Sequence, residues 1–271
     1  MREFYRAEIA LVDYIANVEK AREEINKWVE QQTNDKIKDL IPAGMLGSDT
    51  RLTLVNAIYF KSVWQEKFKK EDTFTGSFFP SQKEEMKVEM MCQEGDFKFV
   101  ESKDLACQIL EMPYLGNKLS MVIFLPVEID GLAKLENRIT YVTLQQSLSL
   151  LDGSMGEVEV IFPKFKLTQQ FDLNNVLAKM GAEEMFIPGK ADLSGISSEP
   201  LCVSKIVHKA FVEVDEEGTE AAAATAIGVA LMSMPLPKPM FKADHPFLFI
   251  IRQNESGAIL FLGRLMKPSL E

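Results

Sequence analysis

Between two runs that read as β-strands, Leu201–Val214 and Phe247–Arg252, lies the stretch EEGTEAAAATAIGVALMSMPLPKPM, Glu216–Met240. Connections inside compact domains are usually much shorter, so any fold for this chain must accommodate a long exposed loop. The second half carries Pro235, Pro237 and Pro239, which impose extended backbone. The first half admits two readings. Ala221–Ala224 and their neighbours suit a short Ala-rich helix. Alternatively, every second residue from Thr219, namely Ala221, Ala223, Thr225 and Ile227, is small or apolar and uncharged. That face could be buried if the segment became a strand, with Glu220, Ala222, Ala224 and Ala226 left near solvent. A strand-compatible segment stored as a loop is a metastable device, and cutting it would free it to insert between existing strands.

The remaining pattern supplies the elements that this loop joins. Val18, Ala21, Ile25, Trp28, Val29 and Gln32 fall on one helical face and predict a helix capped by Asn17. Thr53–Phe60, TLVNAIYF, is nearly all apolar and predicts a strand buried on both faces, with Asn56 the exception inside it. Phe97–Val100, Leu105–Met112 and Leu119–Leu125 read as strands, the last two joined by a turn at Tyr114–Asn117. Helices are predicted over Gly131–Arg138, Val142–Leu150 and Asp172–Met180, the last stopped by Gly181. Val158, Val160 and Phe162 alternate with polar residues up to Pro163, and Phe247–Arg252 pairs with Ala258–Arg264 across the Asn254–Gly257 turn. No repeat or Pro/Gly linker divides the chain. The expectation is one α+β domain over residues 1–271, rich in mixed and antiparallel sheet, with helices between strand groups.

Composition narrows function. Its 40 acidic against 30 basic residues leave a formal charge of -10, which argues against nucleic acid as a partner. Lys67, Lys69 and Lys70 sit beside Glu66, Glu71 and Asp72 and read as a solvated mixed face. The most apolar run, around Leu119–Leu125, is strand-sized, so no membrane partner is expected. Cys92, Cys107 and Cys202 are far apart and read as reduced thiols of a cytoplasmic protein. The opening MREFYRAEIALVDY is not patterned like a secretion signal, and one sequon occurs at Asn254.

Catalytic motifs are missing. There is no HExxH, no GxxxxGK[ST], no GxGxxG and no GxSxG. His208 lies in the apolar run KIVHKAF and reads as a buried structural histidine; His245, before Pro246, reads as a turn or surface residue. The expectation is a protein without metal or cofactor, and not an enzyme.

EEGTEAAAATA resembles the reactive-centre-loop hinge of inhibitory serpins. TLVNAIYFKSVW (Thr53–Trp64), IVHKAFVEVDEEGTEA (Ile206–Ala221) and ADHPFLFIIRQNESGAILFLGR (Ala243–Arg264) extend the resemblance, in order, over essentially the whole chain. ADHPFLF and FLGR point to the ovalbumin-like (clade B) branch, near the leukocyte elastase inhibitors. The resemblance implies a serpin fold with an exposed reactive-centre loop at about 216–240. It implies a hinge formed by Glu216, Glu217, Gly218, Thr219, Glu220, Ala221, Ala222, Ala223, Ala224 and Thr225. Counted from Gly218, the scissile bond falls at Met232–Ser233, with Leu231–Met232 and Ser233–Met234 as the one-residue offsets. Asn56 and His208 match the family's shutter pair, each expected to satisfy the other's buried hydrogen bond. Trp64 matches the breach, and Lys164 the partner of Glu216 beside it.

The activity this implies is suicide inhibition. A protease acylated at Met232 would be dragged and distorted as the freed hinge inserts as a strand. An unbranched apolar residue at that bond suits serine proteases with elastase-like or chymotrypsin-like pockets. Family members begin well before Met1, so the N-terminal helices and one strand of the central sheet are expected to lack counterparts here. A serpin shortened in this way and acting as a protease substrate or binding protein is the alternative. An extracellular setting, with a signal lost from the missing part, is the alternative location.

Overall fold

Strand pairing and burial divide the chain into two compact units in the computed structural model, which describes residues 8–217 and 238–270. The first gathers residues up to Phe60 with Thr168–Val212. Its helix α1 (Val18–Gln32) buries Ala21 and Val29 and half-buries Val18 and Ile25, as the spacing predicts. Trp28 and Gln32 stay exposed. Asn17 holds the N-cap position without a capping hydrogen bond, and its side-chain amide donates to Asp13 at 3.0 Å.

Strands β1 (Thr53–Phe60) and β8 (Lys205–Val214) run in parallel, in register from Thr53 opposite Lys205 to Phe60 opposite Val212, and β7 (Phe165–Asp172) flanks β8. Val55, Ala57 and Tyr59 join Val207 and Phe211 in a core with Ile37, Leu40 and Ile41. The opposite face of β1 corrects the expectation of two-sided burial, since Leu54, Asn56 and Ile58 are exposed. A run of apolar residues fixes strand propensity but not how many layers cover the strand. The helix predicted over Asp172–Met180 starts two residues late and widens in its second half. Asp172 closes β7, helix α4 covers Asn174–Leu177 and continues as a π-helical turn over Ala178–Ala182, in which Gly181, the expected stop, leaves helical geometry with a φ of 105° that favours glycine.

The second unit gathers Lys61–Leu167 with Glu213 onward. It comprises β2 (Phe74–Ser81), β3 (Glu84–Ser102), β4 (Cys107–Pro113), β5 (Leu119–Pro126), β6 (Met155–Pro163), β9 (Met240–Lys242), β10 (Phe247–Gln253) and β11 (Ile259–Leu265). They form a sheet in the order β11-β10-β5-β4-β3-β6-β9, with β2 also paired to β3. Helices α2 (Leu132–Arg138) and α3 (Tyr141–Leu150) press Leu132, Leu135 and Leu148 onto Ile109, Val122, Phe124 and Ile250. Thr140 and Thr143 close a capping box at the start of α3. A further cluster packs Phe162, Phe165, Phe247 and Phe249 with centroids 5.4–6.2 Å apart. Gly263 makes room for it, because a Cβ there would lie 2.6 Å from the Phe249 ring.

His245 lies in a bend, as one of its two expected readings has it, but not at the surface. It is buried, its ring bracketed by the Pro126 carbonyl at 2.7 Å and the Asp244 carboxylate at 2.9 Å. Among the described residues no helix is long and apolar enough to cross a membrane, and no His/Cys/Asp/Glu group could hold a metal ion.

Candidate functional site

The described residues stop at Glu217 and resume at Lys238, and the backbone just before the first of these boundaries is held by Trp64–Phe68. Trp64, 2% exposed, stacks on Tyr114 with centroids 4.5 Å apart. Its indole N–H donates to the Asp215 carbonyl at 3.0 Å, and its backbone N–H to the Glu217 carbonyl at 3.3 Å. Phe68 donates its backbone N–H to the Glu216 carbonyl at 3.0 Å. Three consecutive carbonyls are therefore read by one short segment, Trp64–Phe68, which fixes the backbone that enters the loop.

Charge fixes the side chains. Glu216 is 5% exposed, and its carboxylate meets the Lys164 ammonium at 3.1 Å and the Thr73 hydroxyl at 2.9 Å. Lys164 also reaches Glu89 at 3.2 Å. Burial pushes the Glu216 carboxyl up, but its own backbone N–H, Lys164 and Thr73 outweigh this and hold it below the usual glutamate range. Lys164 shows the mirror image: burial lowers it, and Glu216 and Glu89 raise it further. Lys70 pairs with Glu217 at 2.8 Å, while Lys61 lies 3.8 Å from both Glu213 and Asp215, and Lys166 3.8 Å from Glu213. Lys70, Lys164 and Lys166 line, with Glu213, Asp215, Glu216 and Glu217, an open groove of about 640 Å³.

The other expected pair lies in the first unit. The Asn56 side-chain oxygen and His208 Nδ1 are 2.7 Å apart, at directly opposed positions on β1 and β8, and the ring stacks on Phe171 at 6.0 Å. The bond is present, yet the expected burial is not: Asn56 is exposed and His208 only half-buried, because their face of the sheet has little cover among the described residues. Gly218, Thr219, Glu220, Ala221, Ala222, Ala223, Ala224, Thr225, Met232 and Ser233 lie outside the described residues.

Sequence reasoning missed Thr73, Tyr114, Lys61 and Lys166, and placed Lys70 on a merely solvated face. A signal existed for the lysines. The run Glu213–Glu217 carries four carboxylates, Glu213, Asp215, Glu216 and Glu217, which need cations brought from elsewhere in the chain. Nothing local marks Thr73. Both His245 nitrogens face acceptors, and His208 Nδ1 faces Asn56. The three cysteines are unpaired with one another, and burial pushes the Cys107 thiol up to about 12.

The profile of the family described as "Serpin (serine protease inhibitor)" matches residues 1–268. The chain belongs to the serpin family. This serpin is 47% identical to human serpin B4 over 269 residues, which is 99% of this chain and 69% of that protein. It is 48% identical to human leukocyte elastase inhibitor over 269 residues, 97% of this chain and 71% of that protein. Both relatives place it in clade B. Uncleaved ovalbumin superposes with a TM-score of 0.87 at 36% identity, covering 98% of this chain and 68% of that one. A tumour-suppressing serpin superposes with a TM-score of 0.82 at 27% identity, covering 98% and 70%. The fold is the serpin fold, α+β with mixed sheets.

Proposed function

We propose that this serpin acts as one domain that inhibits serine proteases by suicide-substrate trapping, with Met232–Ser233 as the bait bond. The observation that carries the reading is the direct parallel pairing of β1 with β8, which leaves no strand between them while β8 runs straight into the hinge-like segment. Parallel neighbours joined by no intervening strand can part to admit an antiparallel one, and Thr219, Ala221, Ala223, Thr225 and Ile227 have the alternating small or apolar face that such a strand needs. Asn56 and His208 sit on the seam that would open, and Trp64, Lys164 and Glu216 at the root from which insertion would start.

In this mechanism the protease supplies the chemistry. Its serine attacks the Met232 carbonyl, the Met232–Ser233 peptide bond breaks, and the new amine leaves with Ser233. The serpin contributes no catalytic residue and needs no cofactor or metal. Insertion then competes with hydrolysis of the acyl-enzyme. Met232 favours elastase-like and chymotrypsin-like primary pockets over one built around a carboxylate, and three reduced cysteines suit a cytoplasmic setting.

Stoichiometric incubation with neutrophil elastase and with chymotrypsin, read on a denaturing gel, tests this. A band at the summed mass with Ser233 as the new N-terminus is expected. Thr219→Arg puts a charge on the inserting face, so it should still be cut at the same bond and form no covalent complex. Cleavage of wild type without a complex would leave the alternative, a serpin that is only a substrate.

A further inference from the structure

Lys238 is the first described residue after the loop, and its ammonium bridges carboxylates on two neighbouring strands. It contacts Glu94 of β3 and Glu157 of β6, the latter at 2.9 Å. The antiparallel β3–β6 register sets Glu94 opposite Glu159 and Asp96 opposite Glu157. These four residues share one face, opposite the buried Phe97, Val158 and Val160. Like charges directly across a ladder repel, so this face is strained by its own sequence and the Lys238 ammonium relieves it. Beyond Lys238 the chain is anchored at Ala243–His245, where Ala243 N–H donates to the Ile161 carbonyl at 2.9 Å, the Asp244 carbonyl accepts from Phe79 N–H at 2.7 Å and Ala243 and His245 are buried, whereas residues 238–242 have fewer ties. The Pro239 carbonyl accepts from Glu159 N–H at 3.0 Å, β9 pairs with β6 over only three residues, and Phe241 is the single fully buried side chain of β9.

We propose that Lys238 is a positioning residue: an electrostatic clasp that seats the carboxyl-terminal root of the bait loop on the β3–β6 acidic face. This rests on the protease-trapping reading for its consequence, but the clasp itself is a property of the uncleaved chain. Without the clasp the second fixed point retreats from Lys238 to β9, and a bond presented between more distant anchors is a poorer bait. The clasp is exposed, with Lys238 39% and Glu94 49% accessible in their side chains, so salt weakens it. Association of this serpin with a protease therefore slows with salt in a way that belongs to the inhibitor.

Amide hydrogen exchange of a peptide covering residues 239–244, at low and high salt, reads the clasp without any protease. Lys238→Ala should raise exchange there about fivefold, from the loss of two exposed ion pairs, and leave β5 unchanged. Lys238→Arg should restore protection, and high salt should loosen wild type while doing nothing further to Lys238→Ala. In parallel, the association rate with elastase should fall for Lys238→Ala and recover for Lys238→Arg, at unchanged unfolding midpoint. Equal exchange in wild type and Lys238→Ala at low salt would overturn the clasp. Altered exchange with no complex formed even by wild type would instead retain the clasp and defeat the trapping reading.

Discussion

Burial raises the Glu216 carboxyl while its own N–H, Lys164 and Thr73 lower it, and the lowering prevails. A carboxyl whose folded pKa lies below its unfolded one contributes stability that is complete above the ordinary glutamate value of about 4.3. That contribution is lost as pH falls through the folded value. Glu216→Gln keeps the shape and removes the charge, leaving the Lys164 ammonium with Glu89 alone. At neutral pH it should destabilise the protein by about 2 kcal/mol, less than a fully buried pair because Lys164 keeps some access to water. Urea unfolding of wild type and variant should show the difference shrinking below about pH 4. A difference that stays constant through acid pH would mean that charge is not what Glu216 supplies.

The Asn56–His208 bond belongs to the element scale, because it joins two strands that the proposed mechanism must separate. Being near solvent, it should be cheap to break. Asn56→Ala and His208→Ala should each cost about 1 kcal/mol, with a coupling energy of similar size in a double-mutant cycle. A coupling of several kcal/mol would show the pair to be buried in the working protein. Legibility followed the same division between bonding and burial. The hairpins β4–β5 and β10–β11 could be read because apolar runs there end in Gly/Asn turns, Gly116–Asn117 and Asn254–Gly257. β2 and the first half of β3 could not, because Glu84, Glu85, Lys87 and Glu89 face solvent and drown the alternation of Met86, Val88 and Met90. The root cluster was half legible. Glu216, Lys164 and Trp64 entered through resemblance, whereas Thr73 and Tyr114 meet Glu216 and Trp64 only through folding and carry no local mark.

At the scale of the whole molecule, trapping requires that the state before cleavage is not the most stable state the cut chain can reach. β1 is paired with β8 residue by residue from Thr53 to Phe60, so opening the seam has a cost, and only an incoming strand that pairs on both edges offsets that cost. A strand of roughly ten residues would gain a ladder on each side at a net of about 1 kcal/mol per hydrogen bond. At some 2 °C per kcal/mol for a domain of this size, insertion should raise the unfolding temperature by on the order of 20 °C. Limited cleavage at Met232–Ser233, followed by thermal unfolding of the nicked protein, measures this directly. The same cut in the Thr219→Arg variant should leave the midpoint near that of the uncut chain, because the charge keeps the hinge out of the sheet. If nicked wild type unfolds where intact wild type does, the seam does not open, and the bait is displayed on a sheet that cannot take it in.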